Sequence, residues 1–161
     1  MLLITPLDGI YAYGAFNGPD KRVGEVLWGL PLNGTASTPV LNSNGIFTGT
    51  EEKKLLAFNR SREKISRIWE YELSGACRAK VYVSDRNKQV VAGTIDGFVY
   101  SVDSEMGTYK WNFTVRAPVL SPVVPGYAGG EERLFSEQIT GFSTLLIQEE
   151  KRSGISGPAA G

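Results

Sequence analysis

The sequence contains no histidine and one cysteine, Cys77. Imidazole acid–base chemistry, histidine metal ligation and an intrachain disulfide are therefore outside the reach of these 161 residues. A lone thiol with no imidazole to activate it reads as a small apolar residue, not a nucleophile. Carboxylates are plentiful, with 17 Asp and Glu against 17 Lys and Arg. They fall in turns, as in Asp96-Gly97 and at Asp103, or beside basic residues, as in Glu51-Glu52-Lys53-Lys54 and Glu149-Glu150-Lys151-Arg152. A hard-cation site needs several converging oxygens, which this spacing does not supply. Glycine-rich phosphate loops, G-x-S-x-G and paired-cysteine metal motifs are absent. The formal charge of zero lacks the basic excess that a nucleic-acid partner requires. No catalytic, cofactor-binding or metal-binding residue can be nominated on these grounds. The side chains that do recur in order are aromatic: Trp28, Trp69 and Trp111 stand 41 and 42 residues apart.

Each tryptophan closes the same short succession of elements. The third copy is the cleanest: Gln89-Val90-Val91-Ala92-Gly93-Thr94, a turn at Asp96-Gly97, then Phe98-Val99-Tyr100-Ser101-Val102-Asp103, a polar turn, and Tyr109-Lys110-Trp111. The second copy runs from Gly45 through Gly49-Thr50 and Leu55-Leu56-Ala57-Phe58-Asn59 to Trp69. The first is already under way at Leu2-Leu3-Ile4 and reaches Trp28 through Ile10-Tyr11-Ala12-Tyr13. A second landmark keeps phase with the first, because Pro39 and Pro122 each follow a tryptophan by 11 residues, where Lys80 stands after Trp69. A period of about 40 residues built from short strands is the mark of a β-propeller blade. The fold class expected is all-β, a propeller segment of four-stranded antiparallel blades with two whole units and partial units at both ends.

The strands expected are 38–41, 45–50, 54–59 and 67–73 in the second unit, and 80–84, 89–94, 98–103 and 109–115 in the third. Turn chemistry separates them, through Asn42-Ser43-Asn44-Gly45, Asp85-Arg86-Asn87-Lys88 and Asp96-Gly97. Apolar residues on both faces fit a sheet sandwiched between two neighbours. The first unit enters at its second strand. After Val124 the register dissolves into Pro125-Gly126-Tyr127, with one clear inner strand at 121–124 that head-to-tail joining could lend to the first unit. Residues 133–135 and 143–148 are candidate weak strands of a fourth unit. The expected division is thus a partial propeller over 1–124, a degenerate fourth unit or irregular extension over 125–150, and a disordered tail over 151–161. Three blades would fall below the roughly 4–8 that close a ring. The chain is therefore expected to be part of a longer polypeptide, or to share a ring with other copies through open edges.

The run Ser101-Val102-Asp103-Ser104-Glu105-Met106-Gly107-Thr108-Tyr109-Lys110-Trp111 resembles the tryptophan-docking motif of pyrroloquinoline-quinone-type repeats. That pattern is a small residue, an aspartate two on, a turn glycine, and tryptophan ten after the start. The second copy keeps Ala57 and Trp69 but has Asn59 for the aspartate and a longer loop. The first keeps Ala12 and Trp28 around a loop over 14–22, and the resemblance covers about residues 2–124. It implies that Trp28, Trp69, Trp111, Gly107 and Asp103 are structural blade-docking residues. An indole offers a large apolar face and one N–H donor for such a role.

The same resemblance spans several functions, and fold does not choose among them. Its members include non-catalytic scaffolds of bacterial outer-membrane protein assembly, quinoprotein dehydrogenases, and accessory domains of adenylate-forming enzymes or membrane sensor kinases. The dehydrogenases hold pyrroloquinoline quinone with calcium and use an adjacent-cysteine disulfide, which a single cysteine cannot form. The leading expectation is a non-catalytic scaffold without cofactor, whose partner is a protein or further propeller blades. The alternatives are a piece of a pyrroloquinoline-quinone-dependent dehydrogenase, or an accessory repeat domain of an adenylate-forming enzyme or membrane sensor kinase. The family weakly favours an extracytoplasmic location, although the N-terminus lacks the basic and apolar segments of a signal peptide. No apolar stretch is long enough to cross a membrane as a helix. Recognition is expected in the loops at 14–22 and 60–66, since loops vary on a constant scaffold.

Overall fold

A computed structural model describes residues 2–4, 9–14, 23–34, 36–59, 64–115, 117–128, 131–137 and 144–147. Within them the chain forms four successive antiparallel sheets and no helix. Sheet 1 comprises β1 (Leu2–Ile4), β2 (Gly9–Tyr13) and β3 (Val26–Pro31). Sheet 2 comprises β4 (Val40–Leu41), β5 (Ile46–Gly49), β6 (Lys54–Phe58) and β7 (Arg67–Glu72). Sheet 3 comprises β8 (Tyr82–Ser84), β9 (Gln89–Gly93), β10 (Phe98–Asp103) and β11 (Tyr109–Thr114). Sheet 4 comprises β12 (Val124–Ala128), β13 (Glu131–Glu137) and β14 (Thr144–Ile147). Strands follow chain order in every sheet, which is the up-and-down meander expected of the repeat.

The Gly-Thr element has two separate physical tasks. Thr50 Oγ1 accepts from Lys54 N at 3.1 Å and donates to Lys54 O at 3.2 Å, clamping the β5–β6 turn. Thr94 repeats this on Phe98, at 3.2 and 3.0 Å. The glycine before each threonine makes room for the linker that leads to the next sheet. A Cβ at Gly49 would collide with Cys77, and one at Gly93 with Val119. These linker residues are anchored alike, since Cys77 N donates to Thr50 O and Val119 N to Thr94 O, each at 3.0 Å. Cys77 is thus the counterpart of Val119, a small apolar plug.

The sheets pack face to face, with three apolar layers between them. Ile10, Ala12 and Trp28 of sheet 1 meet Ile46, Leu56 and Phe58 of sheet 2. Phe47, Leu55, Ala57 and Trp69 meet Val90, Ala92, Tyr100 and Val102. Val91 and Val99 meet Leu134 across the linker residues Val115, Val119 and Val123. Most strand residues of sheets 2 and 3 are therefore apolar on both faces, as predicted for sandwiched sheets. The last strand of each of sheets 1 to 3 carries a bulge opposite the small residue of the strand before it, at the steps Ala12/Tyr13, Ala57/Phe58 and Ser101/Val102. A bulge on an outer strand twists the exposed edge and blunts edge-to-edge pairing.

The C-terminal part differs from the expectation. The strand placed at 121–124 begins at Val124 and continues through Pro125-Gly126-Tyr127, where the register was expected to dissolve. It pairs with β13 and so opens a sheet of its own, in place of completing sheet 1. Pro125 is tolerated because β12 is an edge strand with one neighbour, leaving one side of its backbone free of ladder bonds. The strands expected at 133–135 and 143–148 are present as β13 and β14. The tail over 151–161 lies outside the described residues.

Candidate functional site

The docking motif can be followed atom by atom where sheet 2 meets sheet 3. Trp69 stands in β7 opposite Ala57, whose small side chain leaves room for the indole. The ring is buried and lies 5.9 Å from Phe47, centroid to centroid, at an interplanar angle of 43°. Its Nε1–H donates to the carbonyl of Ser104 at 3.1 Å, across the sheet boundary. Ser104 belongs to the β10–β11 turn, and Asp103 shapes that turn. Asp103 Oδ1 accepts from the amides of Glu105 at 2.9 Å and Met106 at 3.0 Å. Gly107 N closes the turn on Asp103 O at 2.9 Å. Gly107 takes φ +67°, and a Cβ there would lie 2.6 Å from the indole of Trp69. Glycine is thus required twice at this position, for its dihedral and for its absent side chain.

Electrostatics fit a structural carboxylate. Burial pushes the Asp103 carboxyl up, but the Met106 and Glu105 amides and the Lys110 ammonium prevail and hold it below its ordinary value. Lys110 Nζ lies 3.6 Å from Oδ2. Asp96 behaves similarly: burial raises it, while hydrogen bonds with Ser74 and Thr94 outweigh that and lower it. Neither carboxylate is poised as a base, because each is kept ionised by donors already bound to it. The Cys77 thiol is pushed up to about 12, first by burial and then by Glu51. It is 1% exposed, so the thiolate that a nucleophile needs is suppressed.

Trp69, Asp103 and Gly107 therefore converge on one junction, while Trp28 and Trp111 occupy the junctions on either side. Trp28 is buried opposite Ala12, and Trp111 is half-buried opposite Ser101. The Nε1 atoms of both are buried without a hydrogen-bond partner among the described residues. In the second copy Asn59 performs the aspartate's task over a wider loop, accepting from Ser66 N at 2.8 Å through Oδ1. The recognition loops proposed at 14–22 and 60–66 lie largely outside the described residues, at 15–22 and 60–63.

Sequence reasoning missed the linker plug formed by Cys77 on Gly49, and the signal was present. Thr50 to Cys77 and Thr94 to Val119 are nearly equal intervals, 27 and 25 residues. It also missed the cleft of 220 Å³ lined by Pro31, Leu32, Thr50, Glu52, Lys54 and Arg67. The cations there are neutralised, since Glu70 pairs with both Lys54 and Arg67. Among the described residues no group of three carboxylate or thiol side chains could hold a metal ion. Asp103 and Asp96 are both engaged locally, Asp103 Oδ1 by the Glu105 and Met106 amides and Asp96 by hydrogen bonds with Ser74 and Thr94.

Comparison with known proteins decides the family. The profile of the outer membrane protein assembly factor BamB matches residues 17–145. This chain belongs to that family. The BamB-type repeat is also visible in three dimensions, since BamB from Moraxella catarrhalis superposes with a TM-score of 0.63 at 16% identity, over 83% of this chain and 38% of that one. Sqt1 of Saccharomyces cerevisiae gives 0.67 at 15% identity, over 83% and 37%. The computationally designed Ika4 protein gives 0.70 at 12% identity, over 89% and 82%. At these identities the likeness is one of fold, and it establishes the β-propeller architecture. The chain spans less than two-fifths of the BamB and Sqt1 structures. No curated protein matches the sequence.

Proposed function

We infer that this BamB-family chain is a non-catalytic propeller scaffold that presents its blade ends to a protein partner. One observation carries the reading: the residues that recur in the motif are committed to holding sheets together. Trp69 is bonded to Ser104 O, and Asp103 is bonded to its own turn. The family's description as an outer membrane protein assembly factor supports a role in protein assembly. Exposed apolar residues give a partner something to bind. Met106 and Tyr109, at 71% and 55% exposure, flank the turn between the last two strands of sheet 3. Ile68, at 47%, holds the corresponding corner of sheet 2. These residues sit on the sheet ends that carry the strand 3–4 turns.

Two measurements test this. A photo-reactive amino acid placed at Met106 or Tyr109 should crosslink to one discrete protein in cells, and the same probe at Asp96, on the opposite end of sheet 3, should not. Titration with pyrroloquinoline quinone and calcium should give no saturable quenching of tryptophan fluorescence. Saturable quinone binding would replace the scaffold by a dehydrogenase segment, and equal crosslinking at all three positions would remove the proposed surface.

A further inference from the structure

An asparagine that precedes a glycine can react with its own backbone. The amide nitrogen of the following residue attacks the side-chain carboxamide, and glycine has no side chain to obstruct the approach. The sequence holds three such pairs, Asn17-Gly18, Asn33-Gly34 and Asn44-Gly45, and the first lies outside the described residues. The other two share their chemistry and differ in their surroundings. Both asparagines are exposed and both stand in connections between strands.

At Asn44-Gly45 the attacking nitrogen is tied down. Gly45 N donates to Asn42 Oδ1 at 3.0 Å, and Asn44 N donates to the same oxygen at 2.9 Å. Asn42 is held in turn, its N donating to Gly45 O at 3.0 Å and its Nδ2 to Asp85 Oδ1 at 2.6 Å. Gly45 is buried, with Phe58 O 2.5 Å and carbons of Ile68 and Phe47 3.7 Å from where its Cβ would stand. Turning this peptide to aim the nitrogen at Asn44 Cγ breaks those bonds inside a packed turn. The surroundings of Gly34 are open. Gly34 is exposed at φ +94°, and its amide meets no acceptor among the described residues. Among the same residues only the Glu52 side chain comes within 4 Å of its Cβ position, with Cγ at 3.5 Å and Cδ at 4.0 Å.

We propose that Asn33-Gly34 is a self-modification site, where the folded chain converts asparagine to aspartate and isoaspartate while Asn44 is protected. Gly34 N forms a bond to Asn33 Cγ, the Cγ–Nδ2 bond breaks, and the Gly34 amide proton leaves with Nδ2 as ammonia. Water, the one co-reactant, then opens the succinimide ring. Addition at the side-chain carbonyl gives aspartate, and addition at the main-chain carbonyl gives isoaspartate. Either product puts a carboxylate where a neutral amide stood, taking the formal charge from zero to minus one. The charge falls at the cleft that Asn33 lines together with Glu52, Lys54 and Arg67. There Lys54 and Arg67 are balanced by Glu52 and by Glu70, which pairs with both, so the added carboxylate is in excess. Isoaspartate also routes the main chain through an extra carbon between β3 and Ala36, the residue that bridges to Thr50.

Both asparagines fall in one tryptic peptide, residues 23–53, so fragment masses compare them in a single sample. The native chain is incubated at neutral pH and digested in heavy-oxygen water, which marks any conversion during digestion. Asn33 should convert at least about tenfold faster than Asn44, a difference of about 1.4 kcal/mol in barrier. Incubated in urea, the two should convert at similar rates, since only the shared dipeptide then matters. Asn42→Ala removes the acceptor of the Gly45 N–H. With circular dichroism unchanged, it should speed conversion at Asn44 and leave Asn33 as it was. An Asn33 that stays an amide in the native chain while the urea-unfolded chain converts would overturn the proposal, as would equal native rates at the two sites. An Asn44 rate indifferent to the loss of Asn42 would refute protection by the turn.

Discussion

Replacing Gly107 by alanine isolates the docking junction from every other source of stability. Two costs arise at this residue. Its φ of +67° lies in the left-handed region, where an L side chain loses about 1–2 kcal/mol. The added methyl would also sit 2.6 Å from the Trp69 indole, a rigid and buried ring that cannot swing aside. Forcing extra volume into a packed core costs about 1–3 kcal/mol more, giving roughly 2–5 kcal/mol in all. Gly24 supplies the control: its φ is +83°, yet nothing lies within 4 Å of the position its Cβ would take. Gly24→Ala should therefore show the dihedral cost alone, about 1–2 kcal/mol. A third chain, Gly107→Ala with Trp69→Leu, removes the ring edge that the methyl meets. In that background the alanine should cost about 1–2 kcal/mol, leaving a coupling of about 1–3 kcal/mol between the positions. Urea unfolding followed by far-ultraviolet circular dichroism gives these differences without relying on the altered tryptophan. Equal costs at Gly24 and Gly107, or an alanine cost that ignores Trp69, would refute a docking contact between glycine and indole.

Trp69→Ala should destabilise by about 3–5 kcal/mol, since it empties a buried aromatic site and strips Ser104 O of its donor. Trp111→Ala should cost less, being half-buried with no such bond among the described residues, and urea midpoints in the reverse order would contradict the assigned geometry. Lys53→Gly should stabilise by about 1 kcal/mol. Lys53 holds φ +61° three residues after Thr50, where sheet 3 has Gly97 at +86° three after Thr94, and a lowered urea midpoint would refute this. Cys77 should resist alkylation at pH 8 until the chain unfolds, and rapid labelling of native protein would contradict its burial. Its thiol pKa is raised in the folded state, so the unfolded chain releases the proton first. The thiol therefore leaves stability unaffected below about pH 9 and lowers it toward pH 12 by about 1.4 kcal/mol per pH unit, a loss that Cys77→Ala should lessen while that of Tyr71, also raised by burial, persists above about pH 10.

The fold was legible wherever one residue type had one physical job at a fixed interval. Trp28, Trp69 and Trp111 marked the last strand of sheets 1 to 3, and the strands drawn around Trp69 and Trp111 match β4 to β11 to within about two residues at each end. Sheet 4 was harder, because its β12 contains Pro125 and Gly126, residues that signal turns when a strand is assumed to have two neighbours. An inner edge strand needs only one, so the local signal and the tertiary context point in opposite directions and the context prevails. The docking site was legible in type but not in grouping. Spacing along the chain associates Asp103 and Gly107 with Trp111, the tryptophan of their own motif. In space they serve Trp69, the tryptophan of the copy before. A repeat that cannot bury its own face leans on its neighbour, and the Trp69 motif is completed by the turn of the copy that follows it. The same logic reaches the sheet faces. Every residue that the pattern places inside is buried only where another sheet follows or precedes it, which is why Tyr11, Tyr13 and Phe135 are half-exposed while their counterparts Leu56, Phe58 and Phe47 are buried.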